Sequence, residues 1–180
     1  NGDYSLSFDG TGDYVDLQGD VVPVGAKTIS AWIYLEETGT TDRFIIDRYD
    51  GTIVDYLFYY NDGVELRFLN GNGNDISFTV ELRNNGWHHV AYTFDNSTQK
   101  LYLNGDEVAS GSGSNITTNA TVNDRIAGDA QQSRGWLGLI DEVSIWNDAL
   151  SNDEILNIYI NGIEDGVADL LGYWEFNAGT

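Results

Sequence analysis

Short runs rich in Val, Ile, Tyr, Phe and Trp recur along the whole chain, and each stops at a cluster of Gly, Asn or Asp. This rhythm constrains the fold more than any other feature, because the runs are too short for most helices and alternate at the period of a pleated strand. Stretches 4–8, 14–17, 28–35, 43–48, 55–60, 64–69, 76–82, 88–95, 100–103, 107–110, 124–127, 138–146 and 171–176 read as strands. With 21 Gly to turn the chain and one Pro to interrupt pairing, the expectation is an all-β fold, a two-sheet antiparallel β-sandwich of jelly-roll type.

Asn104-Gly105 between Leu103 and Asp106 supplies the two left-handed residues of a type I′ hairpin turn, and Asn61-Asp62-Gly63 reads as a second tight turn. One short helix near the C-terminus interrupts the strands. Ser151 caps it, Glu154 completes a capping box, Ile155, Ile158 and Tyr159 share a face, and Gly162 ends it. A single helix among so many strands is expected to cover one edge of the sandwich. Gly71 and Gly73 with their Asn neighbours, and the stretch 110–119, have no periodicity and read as mobile loops.

Eight Lys and Arg against 29 Asp and Glu leave a net charge of −21, which repels nucleic acid and anionic membranes before contact. The absence of Cys excludes a disulfide framework, thiol catalysis and Cys-based zinc. No apolar run approaches the ~18 residues that would span a bilayer. The chain starts at Asn1 without Met, so residues 1–180 are expected to be a single domain cut from a larger secreted or surface protein.

Four ordered segments go beyond this generic picture: Ser5-Leu-Ser-Phe-Asp-Gly-Thr-Gly-Asp-Tyr-Val15; Thr28-Ile-Ser-Ala-Trp-Ile33; Trp87-His-His-Val-Ala91 with the hairpin Leu101-Tyr-Leu-Asn-Gly105; and Gly138-Leu-Ile-Asp-Glu-Val-Ser-Ile-Trp-Asn147 followed by Ala149-Leu-Ser151. Together they resemble the laminin-G-like, concanavalin A-like domains of bacterial secreted proteins, from about Leu6 to Phe176. The resemblance implies a jelly roll with one concave face, a structural calcium ion, and work as a non-catalytic binding or adhesion module. Because such folds host unrelated functions, the ligand must be argued from sites.

For calcium, the resemblance points to Asp9, the Gly12 carbonyl and Asp141, with Asp13 second. The 9–13 segment does offer two carboxylates and free carbonyls, the hard oxygen donors calcium takes. Asp-Gly is equally a turn pair that needs no ion.

For a glycan, the question is which aromatic and polar side chains point away from the core. Strand parity turns Tyr56, Phe58 and Tyr60 inward and leaves Leu57 and Tyr59 outside; it turns Val64, Leu66 and Phe68 inward and leaves Glu65 and Arg67 outside. By the same rule His89 and Thr93 face out, and Tyr102 is exposed. If these strands share one sheet, Tyr59, Arg67, His89 and Tyr102 line its concave face, with Tyr49 and Asp50 on a rim loop; a site built by rim loops is an equal alternative. Trp32, Trp146 and Trp174 read as core, and Trp87 and Trp136 match family positions that pack. His88 reads as a partly buried residue with its hydrogen bonds satisfied.

Catalytic patterns are missing. Asp141 and Glu142 are neighbours, which on a regular strand face opposite sides, and no alternating pair of carboxylates supplies the two groups of a glycosidase. The expectation is therefore a carbohydrate-binding module whose partner is a polysaccharide or glycan, beside neighbouring domains of the same chain. A protein-binding or spacer module without a sugar site is the alternative, and a polysaccharide-cleaving enzyme the outsider.

Overall fold

The computed structural model describes residues 4–36, 41–61, 64–128, 134–164 and 166–177. Its strands are β1 (Leu6–Asp9), β2 (Val15–Asp16), β3 (Lys27–Leu35), β4 (Arg43–Tyr49), β5 (Val54–Asn61), β6 (Glu65–Asn70), β7 (Ile76–Thr79), β8 (Trp87–Phe94), β9 (Thr98–Leu103), β10 (Asp106–Ser112), β11 (Arg125–Ile126), β12 (Leu137–Trp146) and β13 (Leu170–Trp174), with one helix, α1 (Asn152–Asn161). A seven-stranded sheet runs β1-β12-β3-β8-β9-β10, with β13 sharing the edge of β12. A six-stranded sheet runs β2-β11-β4-β5-β6-β7. The strands pair antiparallel throughout both, as a jelly roll requires.

Each sheet turns one face to a shared core. Ile29, Ala31 and Ile33 of β3, Tyr92 and Phe94 of β8 and Leu101 of β9 meet Ile46, Tyr56, Phe58 and Phe68 from the other sheet. Phe68 joins the layers, stacking on Tyr92 at 3.5 Å between ring centroids and on Tyr56 at 5.8 Å. Burying side chains of this size stabilises by roughly 1.5–3 kcal/mol each, which is why inward parity is kept along β3, β5, β6 and β8, while a bulge in β4 sends both Ile45 and Ile46 inward. Trp136 is fully buried here, its indole donating to Tyr34 O and Leu139 O.

One end of the core carries an ion pair. Arg48 donates through Nε to Asp124 Oδ1 at 2.8 Å and through Nη2 to Asp124 Oδ2 at 3.0 Å, while Tyr56 donates to the same carboxylate at 2.8 Å. Asp124 Oδ2 also accepts from Val22 N, so the fork satisfies every buried oxygen lone pair it exposes to the core.

The Asn104-Gly105 turn has φ of 52° and 86°, as the hairpin requires. The Asn61-Asp62-Gly63 turn lies at residues 62 and 63 outside the described residues. The capping box of α1 is present, Glu154 reaching back to Ser151 N, and Gly162 closes the helix at φ 77°.

The helix covers a face of the seven-stranded sheet instead of its edge. Ile155 packs on Ala91 and Tyr102, and Tyr159 stacks on Trp32. This corrects one core assignment: Trp32 shares the outward parity of Ser30 and is half-buried under the helix, while Trp146, of the same parity, is buried as expected, beneath the helix and its lead-in. A second correction comes from β12, where a bulge between Asp141 and Ser144 breaks the alternation and holds Glu142 at φ 46°. Asp141 and Glu142 therefore line the same cleft, not opposite faces.

Candidate functional site

The four side chains expected on one face are divided between the two sheets. Tyr59 of β5 and Arg67 of β6 are direct cross-strand partners on the outer face of the six-stranded sheet. His89 of β8 and Tyr102 of β9 are on the outer face of the seven-stranded sheet, beneath α1. All four point away from the core shared by the two sheets, but the expected common sheet does not exist, and Tyr59, His89 and Tyr102 are buried instead of lining an open face. Tyr102 is not exposed either: it is fully buried, and its hydroxyl donates to Asn152 Oδ1 at 2.8 Å, tying the first turn of the helix to the sheet. His89 is 1% exposed, and burial lowers its pKa to about 4. His88 meets Asn104 Nδ2 through Nδ1 at 3.4 Å, but its buried Nε2 has no partner, so it is only half satisfied.

On the six-stranded sheet, Phe44, Leu57 and Tyr59 form a separate apolar cluster with Tyr49, Val54 and Leu69 around it. Tyr59 is 4% exposed and meets Phe44 edge to face at 5.7 Å, so its ring is packed instead of being offered to solvent. Burial is also the main cause of its raised pKa. Tyr49 is half-buried, donates its hydroxyl to Gly51 O at 3.0 Å, and carries the Arg134 guanidinium 5.4 Å over its ring. Arg67 donates to Asp75 at 2.6 Å, and that hydrogen bond is the chief reason its pKa is raised.

Beside this cluster the rim of the sheet opens into a cleft of about 550 Å³. Thr52, Asn70, Asp75, Thr117 and Asn119 supply hydroxyls, amides and a carboxylate, against an apolar wall of Ile53, Val54 and Leu69. The three segments that form it are fastened to one another. Asp55, buried, accepts from Thr117 Oγ1, from Asn119 N at 2.8 Å and from Ala120 N at 3.1 Å. Asp50 accepts from Thr52 N and Ile53 N at 2.9 and 2.8 Å and from Thr121 across the rim; the amides of Ile53 and Thr52 are the first causes that hold its pKa down. Asn70 and Asn72 donate to Ser114 O and Asn115 O, each at 2.7 Å. Gly71 passes so close to Val54 O that an added Cβ would sit 2.1 Å from it. The stretches expected to be mobile loops are thus hydrogen-bonded into a preformed rim. A rim site was one of the two expectations, with Tyr49 and Asp50 on it, but the sequence did not bring Asn70, Asp75, Thr117 and Asn119 into that site. The available signal was the density of Asn, Asp and Thr in 70–75 and 114–121.

The calcium set does not assemble. Asp9 is paired with Leu137 in β1–β12 register, and Asp141 lies four residues further along β12, about 13 Å away at strand rise. Asp9 Oδ1 instead accepts from Thr11 N at 2.8 Å and Thr11 Oγ1 at 3.0 Å, closing a turn. Gly12, at φ 81°, and exposed Asp13 follow in the same turn. Among the described residues no three Asp, Glu or His side chains group as metal ligands. The residues proposed for calcium therefore do not fit one ion.

A family model for laminin-G-type domains, described as the concanavalin A-like lectin/glucanases superfamily, matches residues 9–156. The chain belongs to this superfamily. No curated protein matches it by sequence. Among solved structures, the superfamily fold is shared with a candidate carbohydrate-binding protein from Bacteroides ovatus, at TM-score 0.76 and 19% identity over 91% of this chain. The chain spans about half, 49%, of that protein. It is similar too to the CBM40 domain of the Ruminococcus gnavus IT-sialidase bound to α2,3-sialyllactose, at TM-score 0.70 and 16% identity over 86% of this chain and 96% of that one. A heptameric SAP-like pentraxin from Limulus polyphemus aligns at TM-score 0.68 and 16% identity, covering 97% of this chain and 89% of its own. At these identities the likeness shows the concanavalin A-like fold, and the site has to be judged on its own chemistry.

Proposed function

We propose that the domain is a non-catalytic carbohydrate-binding module of a secreted or surface protein, which holds a polysaccharide at the rim cleft of the six-stranded sheet. The observation that carries this reading is the cleft itself: hydroxyl, amide and carboxylate groups converge across an apolar wall, on loops already fixed by Asp50 and Asp55. Sugars need that combination, since each hydroxyl must exchange water for a protein partner while the ring's C–H faces lie on apolar surface. Preformed loops also lower the ordering cost of binding. Superfamily membership and the similarity to a sialidase's CBM40 domain solved with sialyllactose support carbohydrate binding in general, whereas the rim site and the charge of its ligand rest on the cleft's own chemistry.

The ligand is a neutral polymer. A net charge of −21 opposes polyanions, Arg67 is already paired with Asp75, and Arg48 is buried with Asp124. Affinity electrophoresis through gels containing neutral, uronic or sulfated polysaccharides tests this. Retardation is expected in a neutral polymer, with no reducing ends released from it and with retardation lost in Asp75→Ala. Lack of retardation in every polymer would leave a protein-binding or spacer module, and release of reducing ends would make the domain an enzyme.

A further inference from the structure

A second cleft, of about 580 Å³, lies on the other side of the sandwich, between the C-terminal half of α1 and the outer face of the seven-stranded sheet. Its walls are Trp32, Trp87 and Tyr159, with Asp141 and Glu142 at the β12 bulge. Trp32 and Tyr159 stack at 5.5 Å and 27°, while Trp87 leans on Tyr34 at 6.0 Å and is 40% exposed. That exposure departs from the packed role its sequence position suggests. Across the strands His89, Trp32 and Asp141 form one row. Both ring nitrogens of His89, 1% exposed, are without a hydrogen-bond partner beside Trp32.

The charged side chains described in this cleft are carboxylates, from Asp141 and Glu142, and no Lys or Arg is among the described lining residues. Ile158, Ile160, Asn161 and Gly162 bring the C-terminal end of the helix to the same place. Carbonyls at a helix C-terminus carry partial negative charge, and the last turn here holds no basic residue to offset it. Aromatic faces attract cations as well.

We propose that this cleft is a second ligand site, which binds an amino sugar through its protonated amine. The pyranose ring stacks on Trp87, and the ammonium points to Asp141, Glu142 and the end of α1. A cleft of this volume suits one or two sugar units. The site is independent of the rim cleft and has a different charge requirement, since it selects a cation where the rim takes a neutral chain.

The test is titration of the intact domain with a β-1,4-linked glucosamine tetramer, followed by tryptophan fluorescence and calorimetry. The N-acetylated tetramer and a lysine-containing peptide serve as comparisons. Saturable binding to the glucosamine tetramer is expected, at least tenfold weaker for the acetylated tetramer and at least tenfold weaker in both Trp87→Ala and Glu142→Gln. Trp87 is 40% exposed and leans on Tyr34, so a circular dichroism melt checks the fold of both Trp87→Ala and Glu142→Gln. The rim variant Asp75→Ala should bind the tetramer as the parent does, which separates the two sites. Three results would overturn the proposal: no binding, binding equal in parent and both cleft variants, or equal affinity for the acetylated tetramer. Equal affinity for the lysine peptide would also overturn it, since the cleft would then be a general ammonium site instead of a sugar site.

Discussion

Asp55 shows how much of this molecule hangs on single carboxylates. Fully buried, it is the acceptor for a hydroxyl and two amides from the 117–120 segment. Asp55→Ala should destabilise the fold by about 2–4 kcal/mol, the cost of orphaning several buried donors, and should weaken rim binding further than stability alone accounts for. Urea unfolding together with affinity electrophoresis measures both. Asp124 plays the same part at the core's end, where it makes the two short hydrogen bonds to buried Arg48; its loss leaves that guanidinium only the longer contacts to Val22 O, Asp20 and Asp55, and Asp124→Asn should cost about 3–5 kcal/mol. His89 adds a pH dependence. Burial holds it at about 4 against 6.5 unfolded, so the unfolded chain takes up a proton that the folded one refuses. The stability tied to its neutral form is complete above about 6.5 and falls away as the pH drops toward 4. Between pH 6.5 and 4 the melting temperature of the parent should drop more than that of His89→Phe, and parallel curves would show that His89 does not titrate as its burial requires.

At the scale of elements, α1 decides which half of the molecule is open. Its capping box orients the helix so that Ile155 and Tyr159 cover Tyr102, His89 and Trp32. Ser151→Ala should cost about 1 kcal/mol, seen as a lower urea midpoint with unchanged slope. This element also marks where sequence stopped being informative. Strand parity was legible, because one face of each strand is buried and a slip would expose it: Tyr56, Phe58 and Tyr60 are in the core and Tyr59 and Arg67 outside, as the alternation says. Pairing of strands across long loops leaves no local trace, so His89 and Tyr102 could not be separated from Tyr59 and Arg67 by pattern alone. The bulge at Glu142 and the helix docking are tertiary events with the same difficulty. The rim was half legible, since Asn-rich loops read as turns but not as loops bonded to one another. Gly71 shows the strength of that bonding: with Val54 O where a Cβ would sit, Gly71→Ala should displace the rim and lower rim affinity more than tenfold.

The whole molecule combines a sandwich core with two chemically distinct openings, a polar rim on one sheet and an acidic, aromatic cleft on the other. The charge of −21 makes anionic partners poor ligands for either, and screening by salt should relax that exclusion without creating a site. The central claim is that sugar hydroxyls are met at the rim. It is tested most directly by amide chemical-shift mapping of the labelled domain during titration with oligosaccharides of the polymer that retards it. The rim account predicts progressive shifts at Thr52, Ile53, Asn70, Asp75, Thr117 and Asn119, with the β8–β9 surface beneath α1 unmoved. Shifts confined to other surfaces, or none at saturating oligosaccharide, would contradict it.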